Sequence, residues 1–316
     1  MRRWKGLDVA KAVCCIAMVY AHTLFWLTLN ESEGLRQGAV RDMIGSYAII
    51  GLLPLSIPLL AGAAFYFRRQ RLDAQGAITA ACFLMLVGFL MNLLAFGAED
   101  LLSWDVLQFI ATSFMALYVL RHAWRVAVAG IATLALTPWI NSALEGSASY
   151  TANVLTGQLA NQYYWPFFPW FSTVAAGYLL AVWKQHKSFA RGAPIAGLAL
   201  LGFATLNNAL APPLQVDALW YASMFRPSLS FVLAVIGAGC MLLSIGDWVS
   251  KRDFPWVPWF SKGILWIYVV HTIVGYRILP ILGRESVSIL FAHALAFVML
   301  ALSASVGWAI VRKAQA

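Results

Sequence analysis

Arg2-Arg3-Trp4-Lys5-Gly6-Leu7-Asp8-Val9-Ala10-Lys11, followed by Ala-Val-Cys-Cys-Ile-Ala-Met-Val-Tyr20-Ala21-His22-Thr23, opens this chain and decides its class. Asp8, Lys11 and His22 lie in or at the edge of a segment otherwise rich in Val, Ile, Ala, Met and Cys. On a helix, eleven residues turn by about 1100°, three turns plus roughly 20°, so Lys11 and His22 share one face. They stand about 16 Å apart along the axis, a large part of a roughly 30 Å hydrocarbon core. Ionisable groups are costly there, and each is a functional hypothesis by default.

Composition widens this to the whole chain. It is 61% hydrophobic and 11% charged, where a soluble domain carries about 25% charged residues. An all-α integral membrane protein follows, with residues 1–316 as one transmembrane domain. The basic start runs directly into a segment long enough to span, so no cleavable signal peptide is expected. A net charge of +9 raises nucleic acid as a partner, but the basic residues sit in short clusters between apolar spans, as topology signals do. The partner they imply is the lipid bilayer. Cys14, Cys15, Cys82 and Cys240 all fall within predicted spans without metal-ligand spacing. They read as buried apolar residues, and no metal site is expected.

Apolar length and flanking charge predict about ten spans, near 9–29, 44–67, 77–97, 105–120, 126–141, 166–183, 193–211, 227–246, 263–282 and 287–311. Sixteen Lys and Arg then fall on one side, in clusters at 2–5, 68–71, 121–125, 184–191, 251–262 and 312–313. Five fall on the other (Arg36, Arg41, Arg226, Arg277, Arg284), and Lys11 lies within the first span, accounting for all 22. The positive-inside rule puts both termini in the cytoplasm.

Few polar side chains interrupt the spans. A histidine at the depth of His22 is either a hydrogen-bonded packing residue or a proton-transfer group. Asp8 and Lys11, at i and i+3, are placed to pair, and Lys11 can also snorkel to the interface. Arg68-Arg69-Gln70-Arg71 is a stop-transfer cluster by its position and a phosphate site by its chemistry, because guanidinium forks suit phosphates. Gln108 and His271 are single polar groups in later spans, whose bland role is interhelical hydrogen bonding. Asn161, Tyr163 and Trp165 end the longest external segment. They belong to an interfacial aromatic belt or offer a stacking face and amide groups to a sugar.

Two family resemblances order these residues. Gly6-Leu-Asp8-Val-Ala-Lys11 through Val19-Tyr-Ala-His22 resembles the opening motif of the acyltransferase 3 family, in which a basic residue precedes a histidine by ten intervening positions. Arg68-x-x-Arg71 resembles that family's second motif, associated with the acyl donor. Asp105-Val-Leu-Gln108-Phe-Ile-Ala-Thr-Ser and Phe168-Pro-Trp-Phe-Ser-Thr-Val-Ala-Ala-Gly-Tyr178 are similar to the heparan-α-glucosaminide N-acetyltransferase group. Ser261-Lys-Gly-Ile-Leu-Trp-Ile-Tyr-Val-Val-His271 is similar to the late span of both. The first family commonly has Ser-Gly before the Arg pair, and Asp105 stands where Gly is frequent.

The resemblance implies acyl transfer from acyl-coenzyme A, acetyl-coenzyme A above all, to a hydroxyl of a sugar or glycan that is lipid-linked or exported. His22 is then catalytic, with Lys11 and Asp8 as motif partners. Arg68, Arg69 and Arg71 hold the donor phosphates, and Asn161, Tyr163, Trp165, Gln108 and His271 serve the acceptor. A multi-pass protein of a bacterial inner membrane is the implied setting, and a homodimer stays open. The residues alone also admit a proton-coupled transporter or flippase, with Lys11, His22 and His271 as its pathway.

Overall fold

The computed structural model describes residues 3–28, 52–69, 72–147, 149–157, 165–207, 226–282 and 289–313. These are helical, with no strand among them. In order the helices are α1 (Lys5–Thr28), α2 (Ile57–Arg69), α3 (Ala74–Ala95), α4 (Val106–Leu120), α5 (Ala123–Ala143) and α6 (Tyr150–Thr156). Then come α7 (Phe167–Trp183), α8 (Phe189–Leu206), α9 (Leu229–Val249), α10 (Val257–Arg277), the short α11 (Leu279–Leu282) and α12 (Ile289–Lys313). Seven are long and apolar enough to cross a membrane, and α4 and α7 are shorter apolar helices. The protein is a multi-pass membrane protein. Its first helix starts at Lys5, four residues before the expected span, so Asp8 lies within it.

The elements obey the economy of a chain in lipid, where every backbone group needs an internal partner. Asp73 starts α3 by accepting from the Gly76 amide at 2.8 Å, and Asp105 starts α4 by accepting from the Val106 amide at 2.6 Å. Hydroxyls inside the helices donate back to carbonyls one turn earlier: Thr23 to Val19, Thr112 to Gln108 and Ser244 to Cys240. The outer faces are bare hydrocarbon, as with Ile131 at 67% and Trp139 at 75% exposure. Cys14, Cys15 and Cys240 are buried as expected, whereas Cys82 faces outward.

The first helix is the hub, packed on α2, α9, α10 and α12. It runs parallel to α10: Ser261 donates to Asp8 at 2.5 Å, and His22 meets His271 at 3.0 Å, at sequence separations of 253 and 249. Near-constant separation along two turning helices keeps one face of each against the other. At its N-terminal end α1 is anchored by Asp247, which accepts from the Trp4 indole at 2.6 Å and pairs with Lys184. Gly62 of α2 and Gly177 of α7 bring those two backbones into direct contact, since a Cβ at Gly62 would sit on the Val174 carbonyl and one at Gly177 on the Leu59 carbonyl. Trp170 is fully buried in this region.

The expected Asp8–Lys11 pair does not form. Asp8 instead accepts from Arg3 and Ser261, each at 2.5 Å. The reason is geometric, because α10 supplies a hydroxyl at the same level and Arg3 reaches over from the chain start.

Candidate active site

The parallel register of α1 and α10 brings two histidines face to face. Their ring centroids lie 5.2 Å apart with planes 10° from parallel. His271 Nδ1 lies 2.8 Å from the Ile267 carbonyl oxygen, one turn back on its own helix. A carbonyl only accepts, so in the neutral ring Nδ1 carries the proton and Nε2 is the acceptor. His22 Nδ1, 3.0 Å from that Nε2, must then donate to it. His22 Nε2 is left with its lone pair and no hydrogen-bond partner among the described residues. A helix carbonyl thus sets the tautomer of both rings. Trp26 leans on the pair, its ring 5.3 Å from His22 and 5.5 Å from His271. Gly275 makes room for that indole, which a Cβ there would strike.

His22 lines a cavity of about 1340 Å³, larger than the roughly 300–1000 Å³ pockets that hold drug-sized ligands. The cavity reaches down α1 to Lys11, so it extends about 16 Å between the two side chains. Its two ends differ in charge. Around Lys11 stand Arg68 and Lys262, with Asp73 as the acid; none of the three cations makes an ion pair among the described residues. Around His22 stand Trp26, Asp105, Tyr268, Trp165 and Thr272. Tyr268 donates to Asp105 Oδ2 at 2.6 Å and its ring meets His271 edge-on at 5.5 Å. Thr272 is 2% exposed, and its hydroxyl oxygen is buried without a partner among the described residues. One end suits phosphates; the other offers His22, aromatic faces and the carboxylates of Asp105 and Asp100, with Arg277 beyond them on α10.

The cavity gathers some of the expected residues and not others. His22, Lys11, Arg68 and Trp165 line it. Trp165 is 8% exposed and packs on Trp170 at 5.0 Å, so its face is mostly covered. His271 is fully buried behind His22 and does not line the cavity. Asp8 is tied to Ser261 and holds α1 against α10. Gln108 is turned away: it fills the space left by Gly88, between α3 and α4, and donates to the Ser103 carbonyl at 3.3 Å. Arg69 points to the other side of α2 and donates to the Tyr178 hydroxyl. Arg71, Asn161 and Tyr163 lie outside the described residues.

Sequence reasoning passed over Lys262, Asp105, Tyr268 and Trp26. Lys262 and His271 are nine residues apart on α10, about 180° around the helix, whereas Lys11 and His22 share a face, so the spacing of α1 does not repeat there and nothing in the sequence singles Lys262 out.

The family model for the heparan-alpha-glucosaminide N-acetyltransferase catalytic domain matches residues 3–210. No curated protein and no solved structure matches the chain. The matched region carries α1 with Lys11 and His22, Arg68, and Asp105 at the start of α4. The acyltransferase 3 resemblance has no match beside it and stands on its motif alone. With about two thirds of its length matched, the chain belongs to the heparan-alpha-glucosaminide N-acetyltransferase catalytic-domain family of membrane acetyltransferases.

Proposed function

We propose that the protein moves an acetyl group from acetyl-coenzyme A to a sugar acceptor within the membrane, with His22 as general base. The observation that carries this is His22 Nε2, held unprotonated by the Ile267–His271–His22 hydrogen-bond chain and opening on a cavity with a cationic far end. The donor's phosphates rest on Arg68, Lys262 and Lys11, and its thin arm extends along the cavity toward His22. The acceptor sits against Trp26, Asp105 and Thr272. His22 Nε2 takes the proton as the acceptor oxygen or nitrogen attacks the thioester carbonyl. The C–S bond breaks, and the imidazolium returns the proton to the leaving thiolate. His271 does not touch substrate; it positions His22 and stabilises the imidazolium through the shared hydrogen bond.

Two lines of argument bear on the acceptor atom. The opening motif argues for a sugar hydroxyl, and the family name specifies the nitrogen of an amino sugar; the same base serves either. The basic clusters favour about ten spans, both termini in the cytoplasm, and a donor arriving from the inner face of a bacterial membrane. A proton-coupled transporter would use the same histidines as its pathway, but it leaves the match to an acetyltransferase catalytic domain without a role.

The test is thiol release from acetyl-coenzyme A by the purified full chain, with and without hexosamines, N-acetylhexosamines and neutral glycosides. Acceptor-dependent release with a labelled acetyl sugar is expected. No release with any of them means that the protein is not an acetyltransferase of this kind.

Two further outcomes separate the roles. Arg68→Ala and Lys262→Ala should each raise KM for acetyl-coenzyme A about 10-fold, from the roughly 1–3 kcal/mol of a charge-assisted contact, with kcat nearly unchanged. His271→Phe removes the acceptor for His22 Nδ1 and should lower kcat about 10- to 100-fold, a share of the roughly 100- to 10,000-fold of general base catalysis. His271→Gln, whose amide oxygen can accept that proton, should recover most of the loss, with KM for both substrates steady. A raised KM in His271→Gln would instead make His271 a substrate contact.

A further inference from the structure

A second polar recess, between the ends of α2 and α4, adjoins the catalytic cavity at Leu72, which lines both. It measures about 300 Å³ and is lined by Tyr66, Arg69, Leu72, Tyr118 and Arg121. No carboxylate lines it, and neither arginine makes an ion pair among the described residues. The guanidinium groups are held nevertheless. Arg69 donates to the Tyr178 hydroxyl, with its guanidinium 5.8 Å from that ring centroid. Tyr178 passes the bond on, donating to the Arg121 carbonyl at 3.2 Å. Arg121 donates to the Tyr118 hydroxyl at 3.3 Å and lies 5.2 Å from that ring. The Tyr66 hydroxyl makes no hydrogen bond among the described residues. Arg121 also carries a φ of +56°, a backbone conformation that non-glycine residues rarely adopt.

Two guanidinium groups held toward one recess with no carboxylate between them make a favourable place for an anion. The flanking surface indicates its source. Val119 and Trp124, on either side of Arg121, are 69% and 64% exposed, and Arg125 stacks on the Trp124 ring at 5.3 Å. An exposed aromatic beside arginines at a helix boundary marks the head-group level of a bilayer, and basic recesses between helices at that level bind anionic heads.

We propose that Arg69 and Arg121 form a specific site for the phosphate of an anionic phospholipid head group. The guanidinium pair grips the phosphate oxygens, the Tyr66 hydroxyl donates to the head, and the acyl chains lie over Val119 and Trp124. This does not depend on the acetyl-transfer chemistry.

The experiment is native mass spectrometry of the purified full chain in detergent, titrated with phosphatidylglycerol or phosphatidylcholine. Wild type should retain one phosphatidylglycerol at least 10-fold more tightly than phosphatidylcholine. Arg121→Gln and Arg69→Gln should each abolish that preference, while Arg125→Gln, outside the recess, keeps it. Arg121 is exposed at a helix end, so its variant tests the site even if Arg69→Gln misfolds. Equal retention of the two lipids, or a preference intact in Arg121→Gln, overturns the proposal. Displacement of the bound lipid by adenosine 3′,5′-bisphosphate also overturns it, because the recess would then belong to the nucleotide end of the donor.

Discussion

His22→Ala should lower acetyl transfer by about 100- to 10,000-fold, the range a positioned general base supplies, while donor binding stays within about 2-fold. The two quantities separate because the cationic end of the cavity lies about 16 Å from the histidine along α1. Coenzyme A release measures the first, and equilibrium binding of a non-hydrolysable acetyl-coenzyme A analogue measures the second. Added imidazole should restore part of the rate, since the substitution leaves a hole of that size beside Trp26 and His271. A variant as active as wild type removes His22 from the chemistry. A variant that also fails to bind donor shows a role in folding instead, and wild-type retention time on gel filtration is the control.

The largest expected effect on stability lies elsewhere, at Gly177→Val. The Cβ would lie on the Leu59 carbonyl oxygen of α2, and neither backbone has room to yield while Gly62 presses on Val174 from the other side. Overpacking of this kind costs roughly 1–3 kcal/mol where side chains give way, and backbone against backbone should exceed about 3 kcal/mol. The apparent melting temperature in detergent should fall by more than about 5 °C. Gly202→Ala is the matched control: nothing lies within 4 Å of its Cβ position. It should leave stability unchanged or raise it by up to about 1 kcal/mol through helix propensity. Because the last turn of α2 carries Arg68, splaying it from α7 should also raise KM for the donor.

How far the chain is legible before folding depends on the kind of contact. Helix formation and membrane residence are properties of composition and run length, and α3, α5, α8, α9 and α12 match their expected spans closely for that reason. His22 and Lys11 are legible because an ionisable group in an apolar run stands out on one helix. The partnership of His22 with His271 is a contact across 249 residues, and nothing local signals which pair of helices will lie in register. The same holds for Asp8, whose nearest cation in sequence is Lys11 but whose partners in space are Arg3 and Ser261. Arg68 and Arg69 were indistinguishable as neighbours, yet 100° of helix rotation sends one to the cavity and the other to the tyrosine-lined recess. Gln108 was a polar residue in an apolar span, and only the glycine opposite reveals that it fills space.

The register of α1 with α10 has a consequence for biosynthesis. The family match ends at residue 210, and His271 lies beyond it, so the ring that sets the tautomer of His22 is translated 249 residues later. At roughly 5–20 residues per second, His22 waits tens of seconds in the membrane before its partner leaves the ribosome. A chain released early carries Arg68 and His22 but lacks His271 and the Ile267 carbonyl that orients it. Unfinished copies lack the contact that fixes the His22 tautomer, and on the function proposed above their acetyl transfer should be slower by the same roughly 10- to 100-fold as in His271→Phe.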